Sequence, residues 1–178
     1  MARREQPFAL FVGGRGGYKN CFLALEAFAL SKFGREATLV CSGTPLTELE
    51  MKYIRRLKLE HRVQVQPRVS TAKLVDLYRH AEVLLYPSGY EGFGFPIVEA
   101  MSQGCPVIAS NRSAIPETAG HAGVLLSDLD PQSMADAIDR VVEPANRRQL
   151  SRLAVQNAAR FTWAASAEAH EGLYRELS

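Results

Sequence analysis

Phe8-Ala-Leu-Phe-Val-Gly-Gly-Arg-Gly-Gly-Tyr-Lys-Asn20 passes from a short apolar run into a glycine-rich loop, and the segment after it carries Phe22, Leu25, Phe28 and Ala29 at helical spacing. The same alternation continues along the chain. Apolar, β-rich runs recur at Thr38–Cys41, Val63–Val65, Val83–Tyr86, Val107–Ala109 and Gly123–Leu126. Between them lie helical patterns such as Leu49, Tyr53, Ile54 and Leu57, then Leu74, Leu77 and Tyr78. Strand and helix in steady alternation imply parallel pairing with helices on both faces, a single doubly wound α/β sheet of about six strands. Punctuation agrees: Asn20 is placed to cap the first helix, Pro96 suits the first turn of another, Gly104 can end it, and Asp130-Pro131 opens a helix over Gln132–Val142. From Pro144 to Ser178 the pattern predicts two helical stretches that meet near Phe161-Thr-Trp163, and no further strand. Trp163, with Phe161 and Tyr174, is expected to anchor the terminal helix to a core.

The chain has 178 residues, the size of one ordinary domain of about 100 to 200 residues, so residues 1–178 read as a single unit. Twenty-one Lys and Arg against 19 Asp and Glu leave a net charge of +2, which argues against a polybasic arm and a nucleic-acid partner. No stretch reaches the roughly 18 apolar residues of a membrane span, and Met1-Ala-Arg-Arg-Glu-Gln-Pro7 lacks the apolar core of a signal peptide. Cys21, Cys41 and Cys105 form no CxxC and lie in or beside apolar segments. They read as reduced packing residues, and the expected location is cytoplasmic.

In a doubly wound sheet, ligands collect in the crevice at the carboxyl ends of the strands. Two loops there stand out. The first, Gly13-Gly-Arg-Gly-Gly-Tyr-Lys-Asn20, lets the backbone approach a ligand closely, while Arg15 and Lys19 bring cations to a helix N-terminus that already favours anions. It matches neither the dinucleotide nor the Walker glycine template, and read alone it is equally a strand-to-helix turn with two solvated cations. The second loop, Pro87-Ser-Gly-Tyr-Glu-Gly-Phe-Gly-Phe-Pro96, sets Glu91 before a helix of about Pro96–Gln103 and Glu99 in its first turn, so the two carboxylates can face one pocket from different sides; read alone, Glu99 is as well a helix-dipole charge and Glu91 a solvated turn residue. Backbone N–H groups of Phe93 to Phe95 can bind an anion, and a carboxylate can accept both hydroxyls of a ribose diol.

The stretch Glu91-Gly-Phe-Gly-Phe-Pro-Ile-Val-Glu-Ala-Met-Ser-Gln-Gly-Cys-Pro-Val-Ile-Ala-Ser110 resembles the E-x7-E signature of the group 1, or family four, retaining glycosyltransferases. The likeness extends over nearly the whole chain, from Phe11-Val-Gly13 with Tyr18-Lys-Asn20, through Leu77-Tyr-Arg-His-Ala81 and Tyr86-Pro-Ser88, to Ile115-Pro-Glu117, Ala119-Gly120 and Phe161-Thr-Trp163. It implies two facing Rossmann-like domains, the GT-B architecture, of which this chain resembles the C-terminal, donor-binding half. The expectation is therefore an excised domain or a split subunit without its N-terminal acceptor domain, inactive alone, any peripheral membrane contact coming through the missing half.

Carried onto this sequence, the resemblance implies a nucleoside-diphosphate sugar as substrate, with no cofactor and no metal. Gly13, Gly14, Arg15 and Lys19 then meet the donor phosphates, Arg15 and Lys19 neutralising the leaving charge in place of a metal ion. Glu91 faces the transferred sugar; Gly92, Phe93, Gly94 and Phe95 line sugar and phosphates; Glu99 holds the ribose. Val69 and Leu74 are candidates beside the base, although Pro67 stands where the family usually has Gly and cannot donate a backbone hydrogen bond. Asp128-Leu-Asp130 matches a D-x-D metal pattern but reads as a helix cap. The four histidines have no ligand spacing and receive no role. Rival readings are a nucleotide-sugar epimerase or phosphorylase of the same architecture, against which the complete E-x7-E stretch counts, and a non-catalytic nucleotide-binding or interaction module.

Overall fold

The computed structural model describes residues 6–176; Met1 to Glu5, part of the leader reading, and Leu177 and Ser178 lie outside them. Six strands form one sheet: β1 Phe8–Val12, β2 Thr38–Gly43, β3 Val63–Pro67, β4 Val83–Tyr86, β5 Val107–Ser110 and β6 Gly123–Leu126. The intervening helices are α1 Cys21–Leu30, α2 Glu48–Arg56, α3 Thr71–His80, α4 Phe95–Ser102 and α5 Ile115–Ala119. Three more close the chain: α6 Pro131–Val141, α7 Pro144–Ala158 and α8 Trp163–Glu176. The sheet order is β3-β2-β1-β4-β5-β6 and every pairing is parallel, so the expected doubly wound fold is the one observed.

Alternation along each strand builds two cores. Ala9, Phe11, Val83 and Leu85 face α1 and α6, where they meet Leu25, Phe28, Met134 and Ile138. Leu10, Val12, Leu84 and Tyr86 face the other way, against Leu77, Tyr78, Ile97 and Met101 of α3 and α4. Strands covered on both faces carry no polar alternation, which is why β1 and β4 read as continuous apolar runs. β3 is an edge strand; Gln64 alternates with Val63 and Val65, and its last residue Pro67 stands opposite Gly43, where a missing donor is tolerated.

The punctuation works as expected at two places. Asp130 accepts from the backbone N–H groups of Gln132 and Ser133 and caps α6, its Pro131 in the first turn, so its carboxylate is engaged within the cap. Gly104 follows the end of α4 at φ 73°, a conformation that favours glycine, and its N–H donates to the Met101 carbonyl. All three cysteines are free and buried, and burial pushes their thiols up, to about 12 for Cys41 and Cys105.

Two expectations fail. In α2 the helical pattern marks Leu49 as core, yet Leu49 is exposed and Glu50, beside it, is buried. The reason is a buried arginine that needs a counter-charge, described below. At the chain's end, Trp163 is 83% exposed and α8 buries none of its residues, so the terminal helix is not anchored by it. Phe161, just before α8, is half-buried and meets the Phe93 ring edge to face.

Candidate functional site

The chain leaves β1 toward β2 on one side of the sheet and leaves β4 toward β5 on the other, so the crevice opens between the carboxyl ends of β1 and β4. The glycine-rich loop after β1 and the acidic loop after β4 face each other there, stitched by main-chain and side-chain bonds. The Gly89 N–H donates to the Tyr18 carbonyl at 2.7 Å, and the Asn20 side-chain amide donates to the Pro87 carbonyl at 2.8 Å. Asn20 therefore occupies the cap position of α1 without capping it, in a left-handed conformation with φ 52°. Gly94 holds the equivalent place before α4 at φ 93°, again with no side-chain cap. Both helix N-termini thus reach the crevice with donors that no side chain has taken.

The acidic loop is also fastened from its far side. Ser113 Oγ donates to the Glu91 carbonyl at 2.7 Å, Ser110 Oγ to the Ser88 carbonyl, and Thr118 Oγ1 to the Phe93 carbonyl at 2.5 Å. Asn157 of α7 in turn donates to the Thr118 carbonyl, so the loop's path is set by α5 and α7 as well as by β4.

Lys19 bridges the crevice. Its ammonium donates to Glu91 Oε1 at 2.5 Å and to Tyr86 Oη at 3.3 Å, and stands 5.2 and 5.1 Å from the ring centres of Tyr18 and Tyr86. Two aromatic faces hold a cation electrostatically without occupying its donors. Burial pushes the Glu91 carboxyl up, but bonds from Lys19, Ser88 and Tyr86 outweigh it and hold the group below the usual carboxylate range. Burial first, then the bond to Glu91, pushes the Tyr86 phenol up, so it remains a neutral donor.

Arg15 does not join Lys19. It is 4% exposed, with Nε donating to Glu50 Oε1 at 2.9 Å and Nη2 donating to the Thr44 and Pro45 carbonyls at 2.6 Å each, while the buried Nη1 has no partner. Glu50 closes a capping box with Thr47 at the start of α2. Its burial raises the carboxyl pKa, but bonds from the Thr47 backbone and from Arg15 prevail and lower it. The two expected phosphate cations are thus drawn to different carboxylates, and Arg15 ties the glycine loop to the β2–α2 loop.

Glu99 is the fifth residue of α4, not part of its first turn, because the helix begins at Phe95. It therefore sits about 6 Å further along the axis than Phe95. Its side chain is exposed and accepts a hydrogen bond from Tyr78 Oη at 2.9 Å. Gly14 and Gly92 lie exposed in their loops, while the Gly13 N–H is taken by the Ser42 carbonyl. Phe93 packs edge-on against Phe95, which is 57% exposed at the mouth of the crevice. Val69 and Leu74 are half-buried and pack against the α3–α4 core. Sequence reasoning assigned no role to Glu50, Tyr78 or Tyr86. Only the tyrosines had a visible signal, a hydroxyl at an otherwise apolar position.

The sheet order and crevice define the class, a doubly wound α/β fold of the Rossmann type. Within it the chain belongs to the family described as Glycosyl transferases group 1, which matches residues 2–160. The D-inositol 3-phosphate glycosyltransferase of Corynebacterium diphtheriae is 36% identical over 141 residues, which are 77% of this chain and 33% of that protein. Sucrose-phosphate synthase from Thermosynechococcus elongatus superposes with a TM-score of 0.83 and 28% identity over 97% of this chain and 46% of its own. An Anabaena protein, HepE, solved with UDP and glucose, has the same fold at a TM-score of 0.82 and 22% identity, covering 96% of this chain and 49% of that one. The chain spans between a third and a half of these proteins.

Proposed function

We propose that the crevice binds a nucleoside-diphosphate sugar and that the chain is the donor-binding part of a retaining glycosyltransferase. The observation that carries this is the Lys19–Glu91 pair, which spans the switch point between two glycine-containing loops and the uncapped N-termini of α1 and α4. Breaking the bond between the sugar's anomeric carbon and the diphosphate oxygen builds negative charge on the leaving phosphate. Lys19 exchanges Glu91 for that phosphate, and backbone N–H groups around Phe93, Gly94 and Phe95 receive the remaining charge. One oriented donor of this kind is worth about 3 to 4 kcal/mol in the barrier.

Glu91, released by Lys19, faces the transferred sugar, while Glu99 accepts the ribose hydroxyls. Arg15 serves the site by fixing the glycine loop, and Gly13 and Gly14 leave room for the phosphates. Val69 and Leu74 border the base. A facing acceptor-binding domain completes the reaction, in keeping with relatives two to three times the length of this chain. Ligand-observed NMR with UDP-, GDP- and ADP-sugars tests the reading: at least one is expected to bind with its diphosphate signals most affected, and binding by none overturns it.

A further inference from the structure

Tyr78 lies within the core that α3 and α4 share, 1% exposed, and its hydroxyl reaches out of that core to one atom, Glu99 Oε2 at 2.9 Å. A phenylalanine would fill the same volume. A hydroxyl withdrawn from water is costly unless it is bonded, so the bond to Glu99 is what this oxygen is matched to. Glu99 by contrast is exposed on the second turn of α4, where an unrestrained glutamate samples many rotamers. A charge-assisted bond from a fixed ring removes most of that freedom, and it occupies one of about four lone-pair positions on the carboxylate, leaving the others to accept from a ligand.

Burial first, and then the nearby Glu99 charge, pushes the Tyr78 phenol up, so it stays a donor wherever the protein is folded. The first glutamate has a buried tyrosine near it too: Tyr86 of β4, 2% exposed on the same face of the sheet, accepts from the Lys19 ammonium that bonds Glu91.

We infer that Tyr78 is a positioning residue whose buried hydroxyl fixes the Glu99 carboxylate in the rotamer that accepts the ribose hydroxyls of a nucleoside diphosphate. This rests on the donor-binding reading above. The test is titration calorimetry of the 178-residue chain with UDP and 2′-deoxy-UDP, and with GDP and 2′-deoxy-GDP, ribose discrimination being the ratio of the two dissociation constants in each pair. Tyr78→Phe removes one oxygen and is expected to lower that ratio on the order of fivefold by weakening the ribonucleotide, which gives Glu99 two hydroxyls, more than the 2′-deoxy form, which gives it one. Equal weakening of both members, or no change in the ratio, overturns the inference. Glu99→Gln separates the two levels: discrimination lost there but kept in Tyr78→Phe removes the role of Tyr78 only, whereas discrimination kept in Glu99→Gln removes the ribose role of Glu99 itself. Should neither ribonucleotide bind, ADP and 2′-deoxy-ADP take their place, and failure of the unsubstituted chain to bind UDP, GDP and ADP alike overturns the donor-binding reading along with it. Should Tyr78→Phe not fold, proton NMR of the unsubstituted chain replaces it. The buried Tyr78 hydroxyl proton is expected to shift more with the ribonucleotide than with its 2′-deoxy form, and equal shifts overturn the assignment.

Discussion

Two cation–carboxylate pairs start four residues apart on the same loop and are built for different purposes. Arg15–Glu50 is sealed, with 2% and 8% of its side chains exposed, and the guanidinium is bonded through Nε to Glu50 of α2 and through Nη2 to two carbonyls of the β2–α2 loop. Lys19–Glu91 is more open, at 17% and 12%, and its ammonium is a single point between two rings. A planar fork matched to several fixed acceptors is slow to give them up; a compact ammonium on a flexible stem re-aims at little cost. The comparison teaches which cation holds the crevice in shape and which can follow charge within it.

Breaking the sealed pair should have the largest effect. Arg15→Leu leaves the Glu50 carboxylate buried without its counter-charge, with an expected loss of about 3 to 5 kcal/mol of stability, read by urea denaturation at neutral pH. A loss under about 1 kcal/mol would put this pair in the same class as an exposed one. Its pH dependence sharpens the point. Because the folded-state pKa of Glu50 is lowered, its contribution is fully present above the unfolded value of about 4.3 and disappears as pH falls through the folded value. In Arg15→Leu the same carboxyl keeps its Thr47 bonds but loses its counter-charge, so its folded pKa rises and protonation costs less. The stability gap between the two proteins should therefore shrink from pH 7 toward pH 3; a gap that widens breaks the assignment.

The open pair should behave in reverse. Lys19→Ala is expected to cost about 1 kcal/mol or less in stability, but to weaken a nucleoside diphosphate by on the order of tenfold or more while leaving the nucleoside nearly unaffected. Calorimetry with UDP and uridine, or GDP and guanosine, measures it, and equal losses for both members dissolve the distinction between the pairs. The smallest effect is expected away from both, at Trp163→Ala. With Trp163 already 83% exposed, the stability read by urea denaturation should change within the range of a surface substitution, about 0.5 kcal/mol or less, and nucleotide affinity not at all. A large destabilisation would mean that α8 is held by its tryptophan after all.

The fold was legible because its signals are local. Each strand of this sheet is a short apolar run between turn residues, and the six runs were visible with their boundaries nearly right; β2, β3 and β5 each extend one or two residues further. Asp130 was legible as a cap for the same reason, since its partners Gln132 and Ser133 lie within three residues. Asn20 was misread because its amide finds Pro87, 67 positions away. Leu49 was misread, and Glu50 passed over, because helical periodicity sees hydrophobicity and not the arginine that arrives from another loop.

By itself, the amino-acid sequence determined the alternation of strand and helix, hence a parallel sheet, and hence the two loops at whose junction a ligand site belongs. It also singled out the charged residues Lys19 and Glu91 of those loops and Glu99 of the helix that follows. Only the tertiary structure decided how those charges are partnered: Arg15 with Glu50 across 35 positions, Glu99 with Tyr78 across 21, and Lys19 with Glu91 across 72. Secondary structure follows from neighbours a few residues away, whereas ion pairs and buried hydroxyls are chosen by distance and desolvation among groups that meet only after the sheet has brought their loops together.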